Sequence, residues 1–208
     1  MEKEQVITGI REIGAVAVIR AQTEEEALRL VGQCVEGGIR AIELTFTVPF
    51  AHRVLEQVAR AYGDEVLLGA GTVLDSETAR VALLSGAEFI VSPCYRKEMI
   101  RLCNRYRKLS VCGVMTVTEA VAAMEDGCDI LKLFPADTLG VSFLKALKGP
   151  LPQAQVMPTG GISAANAGDW IRAGAVAVGA SGSLLRGDVA QNARELLRQV
   201  RQAREAMV

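Results

Sequence analysis

The sequence predicts an α/β fold, a closed (β/α)8 barrel of the TIM type behind a short N-terminal helix, on three observations. Eight short apolar runs alternate with helical patterns along the chain. The runs are apolar throughout, the pattern of parallel strands covered on both faces. Several helical patterns also end in one small phrase, at Glu36-Gly37-Gly38, Ser85-Gly86-Ala87, Asp126-Gly127-Cys128 and Ala173-Gly174-Ala175, where a glycine turns the chain into the next strand. Helical crossovers between such strands make a parallel sheet, and eight units suffice to close it. A doubly wound open sheet is the alternative. It usually shows a glycine-rich turn after its first strand, and Arg20-Ala21-Gln22-Thr23 is not one.

In chain order, residues 3–13 read as a short helix with Val6, Ile7 and Ile10 on one face. The first strand covers 15–20. Thr23 is the expected N-cap of the next helix, with Glu26 completing a capping box, and the helix runs to 36. The second strand covers 41–46 and a helix follows over 49–62. The third strand covers 66–70, with a helix from 75 or 76 to 86. The fourth strand is 89–92 and its helix 96–108. The fifth is 110–114, and Thr116 or Thr118 caps the helix that ends at Gly127. The sixth, 129–135, holds a lysine, and a helix is predicted over 141–148. The seventh is 155–159, with a helix over 163–173. The eighth is 175–179, followed by a long helix over 188–206.

The 208 residues suit one domain over 1–208, with no linker or second domain visible. Hydrophobic residues make up 50% and charged residues 23%, a soluble composition. The net charge of -1 argues against nucleic-acid partners and anionic membranes. No apolar run has the length of a membrane span, and the charged start Met1-Glu2-Lys3-Glu4-Gln5 does not resemble a secretory signal. A cytoplasmic location is therefore expected. The five cysteines form no CxxC pair and read as reduced core thiols. His52 is the only histidine and reads as a solvated helix residue, so neither a His-rich metal site nor a catalytic triad is expected. The basic run Arg101, Arg105, Arg107 and Lys108 reads as a solvated face.

Functional residues of a barrel lie at the C-terminal ends of its strands. The polar residues there are Arg20, Glu43, Thr45, Thr72, Ser92 with Pro93, Lys132, and Thr159 to Gly161. Lys132 stands inside the apolar run Ile130-Leu131-Lys132-Leu133-Phe134. Lysine is seldom buried unless paired or used, and burial disfavours an ammonium and leaves a nucleophilic amine. Glu43 lies in an apolar strand on the same face as Thr45 and needs a partner, for which Lys132 is the evident choice. The two form either a structural ion pair or an imine-forming amine beside a proton-transferring carboxylate.

Pro158-Thr159-Gly160-Gly161-Ile162-Ser163 leads from a strand into a helix N-terminus, and Gly179-Ala180-Ser181-Gly182-Ser183 follows the last strand. Such loops after the seventh and eighth strands suit a phosphate, though each also serves as a tight turn. Gly71 in Ala70-Gly71-Thr72-Val73 is expected to let a ligand approach the backbone. Arg20 is placed either to clamp a carboxylate or to pair at the rim.

These phrases, with Glu43-Leu44-Thr45-Phe46-Thr47-Val48-Pro49, Val91-Ser92-Pro93 and Gly113-Val114-Met115-Thr116, occur in an order that resembles the bacterial 2-keto-3-deoxy-6-phosphogluconate aldolase family, which includes 4-hydroxy-2-oxoglutarate aldolases. The resemblance covers nearly the whole chain. It implies a class I aldolase of sugar-acid breakdown (the Entner-Doudoroff pathway), without metal or other cofactor and assembled as a homotrimer. Its partners would be keto acids: pyruvate and a phosphorylated sugar acid. Lys132 would form the Schiff base and Glu43 would be the general acid/base. Thr72 would bind the pyruvoyl carboxylate, Phe134 would pack beside the imine, and Gly160, Gly161 and the strand-eight loop would hold the distal phosphate. Thr45, Thr47 and Pro93 complete the substrate-binding candidates.

Many members carry an arginine where this chain has Thr47, and Arg20 is expected to replace it. The serine and glycine order of the last loop departs from the commoner one, which leaves Ser181, Gly182 and Ser183 as alternative phosphate contacts. The substrate that the resemblance implies is 2-keto-3-deoxy-6-phosphogluconate, the 6-phosphogalactonate stereoisomer or 4-hydroxy-2-oxoglutarate. A phosphate-binding isomerase or epimerase without an imine, and a non-catalytic binder, are the other readings.

Overall fold

The computed structural model describes residues 1–207. After α1 (Lys3–Ile13) come β1 (Ala15–Ile19), α2 (Glu24–Glu36), β2 (Ala41–Thr45), α3 (Ala51–Tyr62), β3 (Leu67–Gly71), α4 (Ser76–Leu84), β4 (Phe89–Ser92) and α5 (Lys97–Arg105). There follow β5 (Leu109–Val114), α6 (Val117–Glu125), β6 (Ile130–Leu133), α7 (Ala136–Lys148), β7 (Val156–Pro158), α8 (Ala164–Arg172), β8 (Val178–Ala180) and α9 (Val189–Glu205). A 3-10 turn, Gly63–Glu65, precedes β3.

The helix starts follow the predicted chemistry. Thr23 Oγ1 accepts the Glu26 N–H at 3.1 Å. The reciprocal arm of that box differs, because Glu26 Oε2 takes the N–H of Gln22 at 2.7 Å. Thr116, not Thr118, caps α6: its Oγ1 accepts the Glu119 N–H at 3.2 Å, and Glu119 Oε2 accepts the Thr116 N–H at 2.9 Å. At the helix ends, Gly38, Gly86, Gly127 and Gly174 all have φ between 85° and 101°, where a side chain would be strained.

Two predicted boundaries are corrected. The helix after β6 begins at Ala136, not 141, and is kinked at Gly140 (φ 76°, ψ 163°), so only its second part shows the predicted pattern. The eighth strand is Val178–Ala180, not 175–179. The Ala175 N–H is spent on the Trp170 carbonyl at 3.1 Å, closing the end of α8, before the chain can enter the sheet.

The sheet order is β7-β6-β5-β4-β3-β2-β1-β8, parallel throughout. The two outer strands meet at a bridge between Thr159 and Gly179, so the eight strands form a nearly closed barrel and not an open sheet. Inside its lower half pack Val16, Leu67, Phe89, Leu109, Val111, Ile130 and Met157. Val6 and Ile10 of α1 join them, so α1 plugs the bottom. Lys3 fastens this plug to Asp129, Nζ to Oδ1 2.7 Å. A larger apolar layer fills the space between strands and outer helices. One inward step above the lower layer, at the period of two that strands impose, stand Val18, Glu43, Gly69, Gly113 and Lys132.

Candidate active site

Lys132 on β6 and Glu43 on β2 meet inside the barrel, Nζ to Oε1 3.4 Å. Lys132 is 4% exposed and Glu43 is fully buried. Glycines make this arrangement fit. A Cβ at Gly71 would lie 2.0 Å from Glu43 Oε1, so that glycine accommodates the carboxylate and not, as its sequence suggested, an approaching ligand. A Cβ at Gly113, the register partner of Lys132, would lie 2.0 Å from the Pro93 carbonyl oxygen. Two charges removed from water are costly to hold, and the contact is a long one for its kind. Glu43 Oε2 has no hydrogen-bond partner among the described residues. One oxygen of a buried carboxylate is thus left able to accept a proton.

Above the pair lies a cavity of about 260 Å³, lined by Lys132 with Val18, Arg20, Thr72, Pro93, Phe134, Thr159, Gly160, Gly161, Ile162, Gly179, Ser181, Gly182 and Ser183. It draws on β1, β3, β4, β6, β7 and β8 or the turns after them, all at the same end of the barrel. The Phe134 ring centre is 5.6 Å from the amine. Thr72 has φ 56°, an outlier for a β-branched residue, and such backbone strain gathers at binding sites. Gly160 (φ 101°) and Gly161 (φ 67°) turn the strand-seven loop in conformations that favour glycine.

Ten of the thirteen predicted site residues line this cavity; Glu43, Thr45 and Thr47 do not. Glu43 lies against the lysine, as above. Thr45 is buried and gives its one hydroxyl proton to the Ile19 carbonyl at 2.9 Å. The 2.7 Å contact between Thr45 and Thr47 is then donated by Thr47, whose oxygen in turn accepts from Arg20 Nη1 at 3.4 Å. These two threonines form a relay that holds Arg20 at the rim. In the last loop, Ser183 Oγ donates to the Ile162 carbonyl at 2.6 Å, which ties the loops after β7 and β8 together. A Cβ on Gly182 would meet nothing within 4 Å, so packing does not account for that glycine.

Of the other lining residues, Val18 was not anticipated, Ile162 and Gly179 stood only within the loop phrases, and Thr159 was named at its strand end without a role. Val18 carries no chemical signal beyond its inward position. Thr159 has one: its hydroxyl is buried at a strand end and has no partner among the described residues. A Cβ on Gly179 would come within 2.4 Å of that hydroxyl oxygen. His52 is half-buried on α3 and outside the cavity lining. Among the described residues, no group of three or more His, Cys, Asp or Glu side chains is placed to hold a metal ion, and no helix is long and apolar enough to cross a membrane. Burial pushes the thiols of Cys34 and Cys103, both in the outer apolar layer, up to about 12.

Comparisons with known proteins bear on this arrangement. A family model described as "Aldolase: KDPG and KHG aldolase" matches residues 6–200. The 2-dehydro-3-deoxy-6-phosphogalactonate aldolase of Escherichia coli (strain K12) is 36% identical over 196 residues, 92% of this chain and 95% of the relative. The 2-dehydro-3-deoxy-phosphogluconate aldolase of Treponema pallidum (strain Nichols) is 32% identical over 167 residues, 80% of this chain and 79% of the relative. Among solved structures, one described as "Native KDPGal structure" superposes with a TM-score of 0.87 at 34% identity, over 92% of this chain and 96% of the other. A KDPG aldolase from Legionella pneumophila, solved with pyruvate captured as a covalent carbinolamine intermediate, superposes with a TM-score of 0.83 at 27% identity, over 96% of this chain and 98% of the other. A barrel with a buried Lys-Glu pair beneath glycine-rich loops, matched over nearly its whole length, leaves one conclusion: the chain belongs to the KDPG and KHG aldolase family and is an aldolase, a lyase.

Proposed function

We propose that this aldolase splits a phosphorylated 2-keto-3-deoxy sugar acid into pyruvate and glyceraldehyde 3-phosphate through an imine on Lys132. The observation that carries the reading is the buried amine 3.4 Å from a buried carboxylate, in a cavity whose far wall is two glycine-rich loops. The Legionella relative, captured with pyruvate as a carbinolamine, supports a covalent route.

Lys132 Nζ attacks the C2 carbonyl, and Glu43 moves the protons that turn the carbinolamine into water and an iminium ion. Glu43 then takes the proton of the C4 hydroxyl. The C3–C4 bond breaks, its electron pair enters the iminium to give an enamine, and the C4 hydroxyl leaves as the carbonyl of the aldehyde. Glu43 returns a proton to C3, and water hydrolyses the imine to release pyruvate. A positioned carboxylate of this kind contributes about 10²–10⁴-fold. Thr72 and Arg20 hold the C1 carboxylate, Arg20 standing in for the arginine absent at position 47 and aimed by Thr47 and Thr45 behind it. Pro93 and Phe134 wall the reacting carbons. The N–H groups of Gly160 and Gly161, with the loop of Ser181, Gly182 and Ser183, hold the distal phosphate.

Borohydride added with pyruvate is expected to leave a stable adduct on Lys132 and on no other lysine, located by peptide mass. No adduct, or an adduct that persists in Lys132→Ala, overturns the imine. Full turnover by Lys132→Arg would assign the barrel to phosphate-binding chemistry without an imine. A second substrate reading, the 6-phosphogalactonate epimer, is favoured by the name of the Escherichia coli relative. Comparing kcat/KM for the two epimers and for 4-hydroxy-2-oxoglutarate decides among them. The same reading makes the protein a cytoplasmic homotrimer, and a sedimentation mass other than three chains contradicts the assembly.

A further inference from the structure

The loop after β8 is anchored in the outer apolar layer by Leu184, but space surrounds its glycines. The active-site cavity lies in front of it, and a second cavity of about 220 Å³ lies behind, lined by Ser163, Ser183, Leu184, Asn192 and Leu196 among others. Side chains at Gly182 and Gly187 would meet nothing within 4 Å. The loop's carbonyls are gathered by one amide. Asn192, in the first turns of α9, donates from Nδ2 to the carbonyl of Arg186 at 2.7 Å, with the carbonyls of Leu184 at 3.1 Å and Ser183 at 3.4 Å around the same group. The loop after β7 has a matching device. Asn166 of α8 donates from Nδ2 to the Gly161 carbonyl at 2.8 Å, while its Oδ1 accepts the Ser163 N–H at 2.9 Å.

Both asparagines reach back from the helix that follows their loop and occupy carbonyl oxygens. A carbonyl oxygen turned toward an anion repels it, and an N–H attracts it, so the direction of each peptide decides whether such a loop binds phosphate. Other bonds act in the same sense: Ser183 Oγ takes the Ile162 carbonyl, and the Leu185 N–H takes the Ser181 carbonyl at 2.9 Å. Among the described residues no backbone acceptor takes the N–H groups of Gly161, Gly182 or Ser183.

We propose that Asn166 and Asn192 are positioning residues that pin the carbonyls of the two loops away from the cavity and so keep their N–H groups turned to the phosphate of the substrate. The assignment rests on the phosphate end proposed above, and goes beyond it by naming what sets that end.

The test runs the reaction in the condensing direction, where both sugar-acid epimers arise from pyruvate and glyceraldehyde 3-phosphate. Asn166→Asp and Asn192→Asp keep side-chain shape but lose the donor, and Asn166→Asp still accepts the Ser163 N–H and caps its helix. Each is expected to raise KM for glyceraldehyde 3-phosphate about tenfold, the scale of one weakened hydrogen bond to a charge. Deuterium exchange of the pyruvate methyl group, which needs Lys132 and Glu43 but no phosphate, should stay at the wild-type rate. An unchanged KM in both variants overturns the proposal. So does a parallel loss of exchange and condensation, which would mark the asparagines as generally structural. If the wild-type protein uses unphosphorylated glyceraldehyde as well as its phosphate, the phosphate end itself is wrong, and that result is read without any variant.

Discussion

One inward glycine decides where the carboxylate of the candidate site can stand. Gly71 has a φ that other residues adopt, so only the 2.0 Å approach to Glu43 Oε1 forbids a side chain there. Gly71→Ala is therefore expected to fold and to push the carboxylate aside. A displacement near 1 Å costs on the order of 10²-fold in rate, so pyruvate methyl exchange should fall by about that much while the thermal midpoint changes little. Wild-type exchange in Gly71→Ala would show that Glu43 need not stand where it does. The buried thiols give a second result at this scale. Burial raises Cys34 and Cys103 from an ordinary 9.0 to about 12. A raised value means that the folded state holds its proton more tightly than the unfolded chain. The contribution is full below 9.0 and is lost as the pH climbs from there toward 12. Thermal midpoints should fall across that window, and the fall should be shallower in Cys34→Ala/Cys103→Ala, whatever the neutral-pH loss from the cavities. An equally steep fall in that variant would place the alkaline sensitivity elsewhere.

The helix starts show how local chemistry supports the scaffold. Asp75 Oδ1 accepts the Thr78 N–H at 2.6 Å at the head of α4, and this backbone bond holds its carboxyl below the usual value. Glu119 serves α6 in the same way, lowered first by the Met115 N–H at 2.8 Å. A depressed carboxylate contributes above its unfolded value, and the contribution is lost as the pH falls through the folded one. Asp75→Ala should cost about 1 kcal/mol at pH 7, the usual size of a lost cap. Urea midpoints should show that difference shrinking as the pH is lowered below the carboxylate range. A constant difference at every pH would mean that the cost is not the charged cap. The kink at Gly140 has the opposite lesson, since the turn of α7 before it shows no apolar period in the sequence. That turn is set by tertiary contacts, among them the Ala136 N–H on the Thr159 carbonyl at 2.8 Å.

Across the whole molecule, stability and chemistry lie at opposite ends of the barrel. The bottom is filled by apolar layers and plugged by α1, and the top carries the cavity. Ile10 is 1% exposed in that plug. Ile10→Ala should lose about 2–5 kcal/mol of unfolding free energy while leaving kcat and KM unchanged well below the midpoint. A kinetic effect as large as the stability loss would show that the two ends are coupled through the interior.

Much of this was legible in the residues themselves. Strand and helix order followed from apolar runs and caps, because both periods are local. The pairing of Lys132 with Glu43 was legible because a charge in an apolar run demands a partner and few were on offer. The family phrases named most of the cavity lining. What the sequence could not show is which neighbour each residue serves across the barrel. Gly71 looked like a place for a ligand and makes room for Glu43. Thr45 and Thr47 looked like substrate contacts and brace Arg20. Asn166 and Asn192 carry no motif that marks them in the sequence, and in the fold they donate to carbonyls of the two loops. Gly71 and Arg20 serve residues on neighbouring strands, and the asparagines bond carbonyls a few residues away, so these roles depend on strand pairing and on each peptide's direction, whereas closure of the eight strands is what brings Lys132 of β6 against Glu43 of β2.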